Sequence, residues 1–293
     1  MKAILSSLDI SAENLIQVVK WIVYCLLLVN FAQYIRNDWD IAAHTMRNGG
    51  ALLEWTRSFA TTIDESAWIV LLILFELETY VLSDEPLSRP KEMLMLGARI
   101  LCYGSLAHTL YAYGSTVFDL RMATPIEGVT DLCQLVGKEI SYAANLVYTE
   151  LNADNCAALS SAPPIYYIDP PQFVIVTDSA DLVVEKQLAW LDIMEATTWL
   201  LILFSIEVVV WLQDRGIGKG AIISSLNSCK LVLYTLLWVA IAYWIYRGHY
   251  MFAWDEFVWI AGFAAIEMNV VEWRSEIVEA EDSQTAASAV STQ

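Results

Sequence analysis

The sequence predicts an all-α, polytopic integral membrane protein of about six transmembrane helices, with a parallel repeat of a helical hairpin. Three observations carry that class. Apolar residues make up 57% of the chain, with a mean hydropathy of +0.48, well above a soluble domain. Several runs reach the roughly 20 apolar residues that a helix needs to cross a bilayer. These runs are continuous and longer than the alternating, about ten-residue segments of a spanning β-barrel. Twelve Trp and fourteen Tyr suit the two membrane interfaces. The balance of 16 basic against 34 acidic residues excludes a nucleic-acid partner and a polybasic lipid attachment, and directs attention to cations, basic partners or water.

Taken in order, residues 1–14 read as a cytoplasmic amino-terminal piece. Residues 15–118 hold helices 1–3, with an outer segment at 36–65. The first span, Leu15 to Ile35, ends at Arg36, Asn37 and Asp38, and lacks a small-residue cleavage site, so it reads as an uncleaved signal anchor. Gly49-Gly50 breaks the outer segment, and Ala51 to Phe59 is an amphipathic piece expected at the surface. The second span, Ala67 to Leu82, is stopped by Ser83-Asp84-Glu85-Pro86, and the third covers Leu94 to Phe118.

Residues 119–187 form the one candidate soluble segment, expected outside the cytoplasm. Its apolar positions Leu132, Leu135, Val136, Ile140, Ala143, Ala144 and Val147 predict a helix over Thr130 to Leu151. Phe173 to Thr177 predicts a short extended run. Cys133 and Cys156 are expected to pair as a disulfide if this segment lies in an oxidising compartment. Spans four to six, at Leu188–Leu212, Ile222–Tyr246 and Phe252–Val271, occupy 188–271, and 272–293 is expected to be a disordered acidic cytoplasmic tail. The loop Asp214-Arg-Gly-Ile-Gly-Lys-Gly lacks the spacing and terminal Ser or Thr of a phosphate cradle. Basic residues crowd the short loops on the amino-terminal side. Both termini are therefore expected in the cytoplasm, across a bacterial inner or plasma membrane.

The repeat is the most specific signal. Asp64, Trp68 and Glu76 share their +4 and +8 spacing with Glu195, Trp199 and Glu207, and with Asp255, Trp259 and Glu267. A constant offset of 131 residues also matches Arg99 to Lys230 and Tyr103 to Tyr234. On a helix the acid, the Trp and the second acid share one sector and rise by about 18 Å. The first acid and the Trp (Asp64, Trp68; Glu195, Trp199; Asp255, Trp259) read as interface markers, beside the helix dipole and the headgroups.

The inner carboxylates Glu76, Glu78, Glu207 and Glu267 are costly in hydrocarbon and must be protonated, paired or wetted. They are expected to face the bundle interior. His108, Arg99 and Lys230 are auxiliary partners, for proton relay or for ion pairing. Two functions remain open: a protein that binds or translocates a proton or metal cation through these acids, or a non-catalytic structural or assembly subunit of a membrane complex. Beyond the bilayer, the expected partners are other membrane subunits or a second copy of the chain. No nucleophile grouping, paired-cysteine motif or cofactor motif appears, so an enzyme has no motif behind it and the metal, if there is one, stays unidentified.

Overall fold

The computed structural model describes residues 12–77, 88–160, 163–213, 215, 217 and 220–264, with side chains from Gln17 onward. The chain is mostly helical, with a small five-stranded sheet. Its elements in order are α1 (Ala12–Thr45), α2 (Leu52–Ser58), α3 (Ala60–Glu76), α4 (Arg89–Arg121), β1 (Thr124–Pro125), a 3-10 turn (Leu132–Leu135), β2 (Ser141–Ala144) and β3 (Val147–Glu150). There follow α5 (Cys156–Leu159), β4 (Ile165–Tyr167), β5 (Ile175–Asp178), α6 (Ser179–Gln213) and α7 (Ala221–Arg247). A further helix, α8, occupies 250–264.

Four helices are long and apolar enough to cross a membrane: Gln17–Thr45 of α1, α4, α6 and α7. The α2–α3 pair is a fifth only if its two parts, bent by 71°, count together. The predicted second span begins at Ala67, whereas the helix already starts at Ala60. Of the predicted sixth span, 252–264 is helical. Its remainder, the acidic tail and Glu78 and Glu267 lie outside the described residues.

The chain divides into two compact units, 1–30 with 197–293, and 31–196. In the first, α7 presents Leu233, Leu237, Ala240, Ile241 and Trp244 as a buried stripe at helical spacing. Gly248 ends α7 in the left-handed conformation at φ 83°, and its N–H returns to Ile245 O at 3.1 Å. Inside this unit, Asn30 Nδ2 donates to Asp255 Oδ1 at 2.6 Å, and Trp199 Nε1 donates to both Glu256 oxygens at 3.0 and 3.2 Å. Trp199, Trp259 and Phe263 form an aromatic cluster, with Phe263 4.9 Å from Trp199 and 6.2 Å from Trp259.

The second unit carries the sheet, ordered β1-β4-β5-β2-β3, with β2 and β5 parallel and the other pairs antiparallel. This sheet corrects the all-α expectation. It also replaces the helix expected over Thr130 to Leu151, where a 3-10 turn and the β2–β3 hairpin stand. The cause is burial on both faces. Ala143 and Ile175 pack with Val117, Leu120 and Leu182 of α4 and α6, while Tyr142, Ile165 and Val176 face the 3-10 turn and α5. A strand buried on both sides loses the polar-apolar alternation that marks a strand in a sequence. Asn145 and Leu146, at φ 53° and 60°, make the two-residue hairpin turn, without the Asn-Gly that usually signals it.

The Phe173 to Thr177 run overlaps β5, and Cys133 and Cys156 are joined as a disulfide with Cα atoms 4.9 Å apart. Strand β5 passes directly into α6. There Asp178 Oδ1 accepts from Ala180 N and Asp181 N at 2.8 and 2.9 Å, capping the helix start.

Candidate functional site: an acid-lined cavity in the second unit

Between the sheet and helices α1, α2, α3, α4 and α6, the second unit has a half-open cavity of about 260 Å³. Six carboxylates line it, from Asp38, Glu54, Asp119, Asp169, Glu185 and Asp192, against one guanidinium, Arg57. Tyr113, Tyr148, Ala112, Leu120, Ile168 and Ile175 supply aromatic and apolar wall.

Each acid but one is held by a hydrogen bond of the fold. Asp38 Oδ2 accepts from Thr62 N at 2.8 Å, tying α1 to α3. Glu54 Oε2 accepts from Ala51 N at 2.7 Å, closing the start of α2, and from Gln172 Nε2 at 3.4 Å. Asp119 Oδ2 accepts from Arg57 Nη2 at 2.6 Å, a pair in which both side chains are about three-quarters buried or more. Glu185 Oε1 accepts from Leu146 N, at the hairpin turn, at 3.0 Å. Asp169 takes Ile175 N on Oδ1 at 2.9 Å and Val174 N on Oδ2 at 3.0 Å, and so fixes the bend into β5. Asp192 has no hydrogen bond among the described residues and lines the cavity from α6.

The electrostatics follow from this crowding. Burial pushes the Asp169 carboxyl up to about 6; the backbone N–H groups of Ile175 and Val174 oppose the rise, and the Asp119 charge adds to it. The Tyr148 hydroxyl is held well above the usual phenol range, first by burial, then by the charges of Glu185, Asp169 and Asp192. A positive ligand here meets carboxylates on several walls at once. Among the described residues no three His, Cys, Asp or Glu side chains gather as a metal-binding group. The acids therefore surround a volume instead of converging on a point.

The residues singled out from the sequence lie elsewhere. Glu76, at the end of α3, is half-buried, and Glu207, on α6, is exposed; they belong to different units. His108 is half-buried on α4, its Nε2 has no hydrogen-bond partner among the described residues, and its ring lies 6.1 Å from Tyr111. Arg99 is half-buried, and Lys230 is buried. Trp68, Trp199 and Trp259 are buried in their units, and Asp255 is buried and accepts from Asn30. Asp64 and Glu195 are half-buried.

No spacing in the sequence unites the cavity acids: they come from four helices and one loop. The one available signal was Asp192, an acid within the apolar run Leu188-Ala-Trp-Leu-Asp-Ile-Met. Compared with protein-family models, curated proteins and solved structures, the chain matches none of them.

Proposed function

We propose that this is a multi-pass membrane protein that binds a small organic cation, an amine of one or more charges, in the acid-lined cavity. One observation carries the reading: a cavity of about 260 Å³ is walled by six carboxylates, and its one guanidinium is already paired with Asp119. An ammonium group gains from several carboxylates, while the apolar wall accommodates methylene groups. A bare divalent ion asks instead for six or more oxygens at about 2.3–2.6 Å from one point. The same reading takes the chain as six spans with the hairpin repeated at an offset of 131 residues. It places both termini in the cytoplasm and the disulfide-bearing sheet outside, where disulfides persist.

The test is binding of spermidine and putrescine to the detergent-purified protein, by calorimetry and by thermal shift, beside calcium and potassium at matched ionic strength. The amines should raise the melting temperature saturably, the metal ions should not, and Asp192→Asn should weaken amine binding several-fold by calorimetry at a temperature where both unliganded proteins are folded. Equal responses to amines and inorganic ions, or an unaltered affinity in Asp192→Asn, would overturn the reading.

A further inference from the structure

The second unit also shows how it meets the bilayer. Helix α2 has no buried residue. At about 3.6 residues per turn, Leu52, Leu53, Trp55 and Phe59 fall on one side of it, and Glu54 and Arg57 on the other. The charged side is turned into the protein, where Glu54 closes the helix start and Arg57 pairs with Asp119 of α4. The apolar side is turned out, with Leu52 81% and Leu53 50% exposed. This reverses the arrangement of a helix on a water-facing surface.

Its surroundings fix its level. The Phe59 ring lies 6.2 Å from Trp55 and 6.0 Å from Trp39 of α1. Trp39 is 65% exposed and sits beside the exposed Arg36–Asp40 pair, so this is where the apolar surface of α1 gives way to charge. On the other flank, Arg121, two residues beyond the Asp119 that holds α2, lies 5.3 Å over the exposed ring of Trp190. Exposed Trp with neighbouring Arg marks headgroup level in membrane proteins. The break of 71° turns α2 sharply away from α3, on which Val70 and Ile73 are exposed.

We propose that α2 lies in the plane of the bilayer, at the headgroup–acyl boundary of the leaflet nearer the sheet, with Trp39 and Trp190 as flanking anchors. Its occupant is lipid: the exposed apolar side of α2 meets, through Phe59, the exposed Trp39 of α1, a helix long enough to span, and both charged side chains of α2 are bonded within the protein. The anchor holds the cavity, which Glu54, Arg57 and Asp38 line, at headgroup depth. This inference rests on the membrane reading and not on the ligand.

Site-directed spin labelling in phosphatidylcholine vesicles tests it, with Cys25, Cys102 and Cys229 replaced by Ala and the disulfide kept. Labels at Leu53→Cys, at Ile73→Cys as the reference within the span and at Glu127→Cys as the reference in water are each checked for an unchanged melting temperature. The ratio of oxygen to nickel-chelate collision at Leu53→Cys should lie several-fold above that at Glu127→Cys and below that at Ile73→Cys. A ratio equal to the water reference, or a label closed to both reagents as under a protein partner, would overturn the proposal. A water-like ratio at Ile73→Cys would instead refute the membrane reading itself.

Discussion

Replacing Asp169 by Asn should change how stability depends on pH, and the size of the change follows from its surroundings. In the fold, burial raises this carboxyl from 3.8 to about 6. A folded-state value above the unfolded one means that the native protein binds the proton more tightly. The associated stability is fully present below about pH 4 and is lost as pH rises through 6. A shift of about two units corresponds to at most about 3 kcal/mol. Asn is neutral throughout, keeps one acceptor for Val174 N or Ile175 N, and so adds a constant offset but no slope. Thermal unfolding in detergent from pH 4.5 to 7.5 isolates the effect, because other titrating groups cancel in the difference between the two proteins. The wild type should lose stability relative to Asp169→Asn across that range, and bound spermidine, which favours the ionised acid, should reduce the loss. A difference constant to within about 0.5 kcal/mol, the ordinary error of additivity, would refute the reasoning.

Two further outcomes concern the fold around the cavity. The Arg57–Asp119 pair, at 2.6 Å and mostly buried, lies between the exposed pairs worth about 0–1 kcal/mol and the fully buried ones that cost about 3–5 when broken. A double-mutant cycle with Arg57→Ala and Asp119→Ala should therefore give a coupling of about 1–2 kcal/mol by thermal unfolding; a coupling near zero would mean that the pair does not hold α2. Removing the Cys133–Cys156 link, with its sequence separation of 23, should cost about 3 kcal/mol of loop entropy. By that accounting Cys133→Ser loses about this much. Cys156→Ser loses more, since Cys156 is 3% exposed in the core below the sheet and a hydroxyl there is poorly accommodated.

The four helices long and apolar enough to cross a membrane were legible because a continuous apolar run has few other uses at that length. The helix starting at Ala221 and ending before Gly248, and the separate turn of helix at Leu52–Ser58, could be read from apolar period and breakers. The disulfide was legible from two cysteines in the one polar segment. The sheet was not. Ser141, Tyr142 and Ala143 are all buried, so the strand shows no alternation, and Leu132, Leu135 and Val136 imitate a helix through a 3-10 turn. The cavity was least visible of all. Asp38, Asp119, Asp169 and Asp192 are far apart in sequence, and three of them look like ordinary charged stops at helix or loop ends. The repeat drew attention to Glu76 and Glu207, whose spacing is regular, while the carboxylates that the fold gathers have no spacing at all.

The place of β5 in the sheet has a consequence for how the chain is made. It is the last of the described strands to be synthesised and the central one in the order β1-β4-β5-β2-β3. Until residue 178 has emerged, β4 and the β2–β3 hairpin lack the neighbour they share, and β1 has only β4 beside it. The next residue begins α6, with no linker between. Completion of the sheet is therefore followed at once by a helix long and apolar enough to cross a membrane. A ribosome paused before Asp178 would hold a subdomain that has its cysteines but not its middle.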